Sequence, residues 1–195
     1  MKTSNNKSLN RRIISSSVRR GRLLLLELLL LEDEGKGQLF MPALNYFYGN
    51  SDHCLEMLEH PFTVPGLGDG GAHVGIMCDA TDMVHTLTHW TRDRMRGPKH
   101  GIAEMVRRLT SANAKAIGLR DRGTIAAGMR ADINVIDYDN LQLQVPEVSY
   151  DLPAGGKRIL QRTTGIDATV VAGIPIWRHG AATGALPGRL LRSGD

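Results

Sequence analysis

The sequence predicts a mixed α/β fold, in which helices and short strands alternate to about residue 119 and a β-rich segment follows. Between residues 51 and 118, apolar residues recur at helical spacing in several segments. After Leu119 the pattern changes to alternation, with turn-forming Ala-Gly pairs at 127–128 and 172–173. The 195 residues, of which 42% are apolar, suffice for one domain or a domain and a half.

Several helices are expected in the first two thirds of the chain. Ser51 is suited to cap a helix that runs through His60. Thr81 opens another, and its apolar stripe consists of Met83, Val84, Leu87 and Trp90. The next carries Ile102, Met105, Val106 and Leu109 on one face. Ser111 is expected to cap a short helix that ends at Gly118.

Strands are expected before, between and after these helices. Residues 39–48 and Phe62–Leu67 are apolar enough to be buried strands, although Pro65 confines the second to a bulge or a strand end. A hairpin is expected around Ala127-Gly128, with Ile133 and Val135 on one face. Residues 168–180 are expected to form a second hairpin, turning at Ala172-Gly173.

Composition and charge argue against several classes of protein. The two cysteines, Cys54 and Cys78, show no zinc-finger or disulfide-scaffold spacing, which favours a reducing, cytoplasmic location. Aromatic residues make up only 5%, too few for a single-strand stacking surface. Of the net charge of +4, +7 lies in residues 1–22, which leaves −3 for the remainder. The basic residues therefore belong to a tail, and a nucleic-acid partner is not expected.

The N-terminal segment does not have the pattern of a signal peptide. Glu27 divides the leucine run, which is also too short to span a bilayer, so no membrane association is expected. Residues 1–22 suit a disordered basic tail, and their composition also fits a transit peptide. The leucine run from Leu23 to Glu32 is expected to form a buried helix that ends near Gly35.

The stretch VPGLGDGGAHVG, at residues 64–75, is the strongest candidate for a functional loop, and three interpretations compete. A phosphate cradle is the weakest, because the glycines do not match GxGxxG and Asp69 would repel an anion. A structural turn is the simplest. Alternatively, Asp69 lies at the C-terminal end of a strand in a (β/α)₈ barrel, where enzymes of that fold carry catalytic residues. A carboxylate there can bind a divalent metal.

Two motifs in the sequence carry a family resemblance. The first is HPFTVPGLGDGGAH, in which His60-Pro61 follows a helix and the Asp69-Gly70 turn follows a short strand. The second is the tail pattern Gly-x-Ile-x-x-Gly-x-x-Ala-Asp, which begins at Gly123 and ends at Asp132, preceded by GLRDRG at residues 118–123. With these motifs the chain resembles the amidohydrolase superfamily, and within it the N-acyl-D-amino-acid deacylases (D-aminoacylases). The resemblance extends from about Leu28 to the C-terminus.

The resemblance implies a zinc-dependent hydrolase that cleaves the C–N bond of an N-acyl amino acid or a related amide. It also implies a (β/α)₈ barrel joined to a small β-sandwich. By the resemblance, Asp69 contacts the metal and acts as the general base, passing its proton to the leaving amine. The domains expected on this basis are the tail 1–22, a partial barrel over 23–119, and a β-rich sandwich segment with the C-terminal tail over 120–195.

The chain departs from that family at the metal ligands. No His-x-His pair occurs in the sequence, and the family's bridging residue and later His ligands have no matching positions. A catalytic zinc needs about three protein ligands. We therefore expect a truncated form with weak or absent activity, its remaining zinc ligands missing. A different hypothesis is a non-catalytic interaction or targeting product that acts through residues 1–22.

Other polar residues have both a functional and a structural interpretation. His73, four residues after Asp69, is a candidate contact for substrate or for Asp69, and equally a loop residue held by backbone bonds. Arg92 and Arg94 are candidates for a substrate carboxylate, although the charged run 92–99 is typical of a solvated loop. His85 and His89 have zinc-compatible spacing but no accompanying Glu, which favours polar positions on a helix.

Overall fold

The computed structural model describes residues 45–46, 48–66, 68, 70–71 and 73–192. The chain divides into two compact units, Met1–Ser51 and Asp52–Asp195. All described helices and strands belong to the second unit. The expected tail at 1–22, the expected helix at 23–32 and most of the expected strand at 39–48 lie outside the described residues.

The helical part of the second unit consists of three helical runs. The first is α1, Asp52–Glu59, close to the expected bounds of 51–60. The second begins with a 3₁₀ turn, Asp79–Thr81, continues as α2, Asp82–Thr88, and ends in a π-helical turn, His89–Asp93. The third comprises α3, Ile102–Arg107, a π-helical turn, Arg108–Ala112, and α4, Asn113–Ala116.

The apolar stripes predicted for the second and third helical runs contribute to the core, although Ile102 and Val106 of the third run are exposed. Leu87 and Trp90 are buried on the second run, and Met105 is fully buried on the third. The third run ends before Gly118, whose φ of 79° allows the Leu119 amide N–H to reach the Ala114 carbonyl oxygen at 2.8 Å. The capping role predicted for Ser111 is wrong. That residue lies inside the run, and its hydroxyl donates to the Arg107 carbonyl oxygen.

The described residues that follow form eight short strands, and all of their pairings are antiparallel. Their bounds are β1 Ile133–Ile136, β2 Gln142–Leu143, β3 Glu147–Leu152, β4 Gly156–Leu160, β5 Thr163–Thr164, β6 Ile166–Val171, β7 Ile174–Arg178 and β8 Ala181–Ala182. One sheet has the order β1-β6-β7-β8, while β2–β5 and β3–β4 form separate pairs.

The hairpin predicted for residues 168–180 is confirmed as β6 and β7. Ala172 and Gly173, the two residues between the strands, have φ values of 50° and 80°. Two positive φ values at the central positions are typical of a type I′ turn, whose twist matches that of the flanking strands. The local sequence therefore determines this hairpin.

Two strand predictions are wrong for the described residues. Residues 62–66 form no strand, and Phe62 is 91% exposed. Pro65 lacks a backbone N–H, and none of the described strands runs beside this segment. The hairpin predicted around Ala127-Gly128 is also absent, because β1 pairs with the distant β6, with Ile133 opposite Val170.

One core joins the helices to the β-rich segment. Leu141, only 1% exposed, packs in the same cluster as Leu87, Trp90 and Met105. Gly165, with φ of 82°, lies against the Leu141 backbone so closely that an added Cβ would stand 2.6 Å from its Cα. The content of helix and strand fits the predicted α/β class. The barrel, the sandwich and the domain bounds remain predictions.

Candidate functional site

The glycine loop at 64–75 packs directly on the 3₁₀ turn Asp79–Thr81. A Cβ built on Gly68 would stand 2.2 Å from the Asp79 carbonyl oxygen, and one on Gly70 would stand 2.8 Å from the Ala80 Cβ. Contacts below 3.0 Å are not tolerated without a shift of the backbone. Both positions therefore need glycine because of close packing.

The entry to the glycine loop is held by the helical part of the unit. Asn113, the first residue of α4, donates from Nδ2 to the Pro65 carbonyl oxygen at 2.6 Å. The bond is partly buried and joins residues 48 positions apart. It fixes the backbone directly before the glycines.

The exit from the glycine loop is held by the β-rich segment. The Ile159 amide N–H, in β4, donates to the Val74 carbonyl oxygen at 2.7 Å. Thr81 donates from its hydroxyl to Gln161 Oε1 at 2.5 Å, and Gln161 Nε2 donates to the Gln144 carbonyl oxygen. Gln161 thus joins the 3₁₀ turn beneath the loop to the end of β2.

Asp69, the predicted catalytic residue and metal ligand, lies outside the described residues, as do Leu67 and Ala72. The described residues on either side of it, Gly68 and Gly70, are those packed against the 3₁₀ turn. The role of Asp69 remains a prediction.

His73 has an exposed side chain and a backbone with φ of 48°, in the left-handed region that non-glycine residues rarely adopt. Its carbonyl oxygen accepts hydrogen bonds from the Ile76 and Met77 amide N–H groups, at 2.8 and 3.1 Å. These bonds account for the turn around His73. A contact between its imidazole and substrate remains a prediction.

Arg92 connects the second helical run to the chain between β1 and β2. Its guanidinium donates to the carbonyl oxygens of Tyr138 and Leu141, the latter at 2.7 Å, and lies 5.3 Å from the Tyr138 ring centroid. A hydrogen bond to the neighbouring Asp93 raises the pKa of Arg92. This side chain fixes a backbone segment.

Arg94 has different partners. It is 3% exposed, donates to Asp52 Oδ1 at 3.0 Å, and lies 4.6 Å from the Trp90 ring centroid. Arg96 donates to the other Asp52 oxygen at 2.8 Å, and this bond is the main reason why the pKa of Asp52 is lowered. The structure does not bring Arg92 and Arg94 together on one anion, since each is directed at its own protein partner.

An open cleft of about 370 Å³ adjoins this ion pair. Its lining residues are Asp52, Leu55, Arg94, Arg96, Gly97 and Pro98. A carboxylate entering the cleft would meet two guanidinium groups and one carboxylate, a net positive charge. Of the two arginines predicted to bind substrate, Arg94 alone borders this cleft.

The described residues do not form a zinc centre. They contain no group of three or more His, Cys, Asp or Glu side chains placed to hold a metal ion. His85 and His89 stack with centroids 5.1 Å apart, and neither Cys54 nor Cys78 belongs to such a group. Burial raises the pKa of both thiols, which disfavours the thiolate that a metal requires. The donor set in this part of the chain does not fit the zinc that the sequence predicts.

A model of the amidohydrolase family matches residues 42–176, about two thirds of the chain. The chain belongs to the amidohydrolase family. The matched region of this amidohydrolase contains the glycine loop, the second and third helical runs, and strands β1 to β6. No curated protein and no solved structure matches the chain significantly.

Membership places the protein among hydrolases that are typically metal-dependent and act on small molecules. Membership of the amidohydrolase superfamily, which the two motifs predict, is therefore confirmed. The assignment to the D-aminoacylase branch remains a prediction. Within the described part of the chain, no helix has the length and apolar character needed to cross a membrane. The proposed interaction tail at 1–22 lies outside the described residues.

Asn113 and Gln161 were not identified as site residues from the sequence. Asn113 donates to Pro65, 48 residues away, at the entry to the glycine loop. Gln161 accepts from Thr81, 80 residues away, in the 3₁₀ turn on which the loop packs. Asn113 looks like an ordinary polar residue near a helix end, and Gln161 lies between two strand-like segments. Neither has a local signal that distinguishes it from a solvated side chain.

Proposed function

We propose that this chain supplies the Asp69 loop of an amidohydrolase of the N-acyl-D-amino-acid deacylase type. Its substrate would be an N-acyl amino acid or a related amide, cleaved at the C–N bond. The family match over residues 42–176 carries the proposal, because it contains both the Asp69-Gly70 turn and the Gly123–Asp132 pattern.

Within this proposal, Asp69 is the carboxylate that faces the substrate amide and accepts a proton. The packing of Gly68 and Gly70 on the Asp79–Thr81 turn supports it, because a closely held loop limits the positions open to a residue between them. Tethers at Pro65 and Val74 restrain the loop further.

The recognition of substrate is assigned to His73, to Arg92 near the end of the second helical run and to Arg94 directly after that run. His73 is exposed in the same loop and can donate to an acyl oxygen. Arg94, beside the open cleft, is suited to a substrate carboxylate. Arg92 is retained as a weaker candidate, since its donors already serve two backbone carbonyls.

Hydrolysis by these 195 residues alone is expected to be weak or absent. A catalytic zinc uses about three protein ligands and one open position. The sequence contains no His-x-His pair, and the described residues contain no metal-binding group. The described residues therefore do not by themselves supply a complete set of zinc ligands.

Substrate binding tests this function without relying on turnover. Amide NMR spectra of the labelled chain are recorded with N-acetyl-D-methionine and, separately, with its L-enantiomer. We expect the D-form to shift the signals of Gly68, Gly70 and His73 more than the L-form does. Equal shifts with both enantiomers would exclude the D-specific assignment, and no shift in the loop with either would contradict the proposed site.

A further inference from the structure

Trp90 is the centre of a cluster of nitrogen-bearing side chains that the proposed function does not use. The indole is 6% exposed, and the His89 ring meets it edge-on with centroids 5.0 Å apart. The His100 ring lies 6.4 Å away, and Arg94 lies over the indole face. His85 stacks on the outer side of His89 at 5.1 Å. These five residues are called the Trp90 cluster.

His89 has a buried ring nitrogen that nothing in the described part of the chain satisfies. Its Nε2 atom is excluded from solvent and has no hydrogen-bond partner there. In a neutral imidazole one nitrogen carries no hydrogen and can only accept a hydrogen bond. Leaving this acceptor unpaired costs less free energy than leaving a charged donor unpaired. Protonation makes both nitrogens donors and places a positive charge on the ring. The site therefore accommodates the neutral form of His89.

Most of the groups that face His89 act in the same direction. Burial lowers the pKa of His89 below its ordinary value of 6.5, and the neighbouring His85 and Arg94 lower it further. Asp93 opposes this effect but contributes least. His89 is therefore kept neutral by desolvation first and by adjacent positive charge second.

His100 differs from His89 in one respect. Its Nε2 atom is also buried without a hydrogen-bond partner among the described residues, but a Glu59 carboxylate oxygen lies 3.9 Å away. Among the described residues, no carboxylate pairs with the buried nitrogen of His89, so His89 is the member of the cluster that acid disturbs.

The turn that begins at His89 also attaches the β-rich segment to the helices. Thr91 hydrogen-bonds the Tyr138 hydroxyl at 2.5 Å, and Arg92 donates to the Tyr138 and Leu141 carbonyl oxygens. These residues occupy the π-helical turn His89–Asp93. A displacement of His89 would therefore move the residues that hold Leu141 in the core.

We propose that His89 is an acid-sensitive joint, whose protonation releases the His89–Asp93 turn from the Trp90 cluster and loosens the β-rich segment. The inference goes beyond the amidohydrolase proposal and does not depend on it. Because the folded state favours neutral His89, the stability it confers is complete above pH 6.5. That stability is lost as the pH falls below this value.

The fluorescence of Trp90 tests the joint. Trp177→Phe leaves Trp90 as the only tryptophan in the sequence. Its emission is followed from about pH 8 to about pH 5, the range in which histidines titrate. We expect a red shift of emission with a midpoint below pH 6.5. Adding His89→Phe, which keeps a ring against the indole, should remove the transition. His85→Gln, at the exposed position, should leave it in place.

Two outcomes would overturn the proposal: an unchanged transition in the His89→Phe variant, or no transition in the parent above about pH 5. Should His89→Phe fail to give a native circular dichroism spectrum at about pH 8, where histidines are neutral, the His89 ring signals of the Trp177→Phe chain are titrated by NMR instead. A His89 midpoint at or above 6.5 would then contradict the joint, and one below 6.5 that coincides with the emission change would support it.

Discussion

Asn113 Nδ2 lies 2.6 Å from the carbonyl oxygen of Pro65, so the start of α4 is bonded to the backbone that enters the glycine loop. The bond crosses 48 residues of sequence and is partly buried. Because proline has no backbone N–H, the carbonyl oxygen is the backbone atom through which Pro65 can form a hydrogen bond. The loop entry is thereby fixed to the third helical run.

Asn113→Ala should destabilise the chain, because the Pro65 carbonyl oxygen loses a partly buried partner. We expect a decrease of about 1–2 kcal/mol in the free energy of unfolding, measured by urea denaturation. Ser111→Ala, two residues earlier in the same run, removes only a 3.4 Å bond to its own helix. That control should change stability by less than about 0.5 kcal/mol. Equal effects of the two substitutions would show that the Pro65 tether contributes nothing specific.

Gly68→Ala should be far more disruptive than Gly75→Ala, although both lie in the glycine loop. The added Cβ at Gly68 would stand 2.2 Å from the Asp79 carbonyl oxygen, whereas a Cβ added at Gly75 would meet no other atom within 4 Å. We expect Gly68→Ala to cost about 1–3 kcal/mol in thermal or urea unfolding, as overpacking does. Gly75→Ala should remain within about 0.5 kcal/mol of the parent. A neutral Gly68→Ala would mean that the loop does not pack on the Asp79–Thr81 turn.

Arg92→Ala should weaken the attachment of the β-rich segment. Two backbone carbonyls, at Tyr138 and Leu141, lose charged donors. Hydrogen bonds of this kind contribute about 1.5–3 kcal/mol. The matched control is Arg96→Ala, because the Arg96 side chain is 70% exposed and its ion pair with Asp52 lies at the surface. Urea denaturation compares the two variants. A stable Arg92→Ala chain with weakened binding of N-acyl amino acid would instead favour the substrate role of Arg92.

The carboxyl group of Glu104 should titrate well below the ordinary glutamate value of 4.5. Hydrogen bonds from Arg107 and then Arg108 lower its pKa from 4.5 to about 2. A lowered pKa means that the interaction is present above pH 4.5 and is lost as the pH falls towards about 2. An NMR titration of the Glu104 side-chain carbon gives the midpoint. A Glu104 midpoint near 4.5 would show that the ion pairs with Arg107 and Arg108 are open in solution.

The sequence was most informative where structure depends on near neighbours. The stripe that contains Leu87 and Trp90 predicts its own helix, because helical spacing is a local property. The Ala172-Gly173 turn predicts its hairpin, since two adjacent residues fix the twist of the strands on either side.

The errors concern partners distant in sequence. Phe62–Leu67 is apolar but, in the described range 62–66, has no neighbouring strand to pair with. β1 pairs with β6, and Asn134 stands opposite Thr169, a partner that the alternation of β1 does not reveal. Asn113 and Gln161 form hydrogen bonds to residues 48 and 80 positions away. Only the structure shows that these bonds hold the glycine loop and the turn beneath it.

Zinc content measured together with hydrolysis is the most direct test of the central claim, that the chain carries the Asp69 loop of an amidohydrolase without a complete metal site. The purified 195-residue chain, its Asp69→Asn variant and an Asp167→Asn control at an exposed carboxylate are loaded with zinc and dialysed. They are then assayed with N-acetyl-D-amino acids. We predict substoichiometric zinc and weak or absent turnover in all three. Stoichiometric zinc with turnover that Asp69→Asn abolishes and Asp167→Asn preserves would contradict the claim.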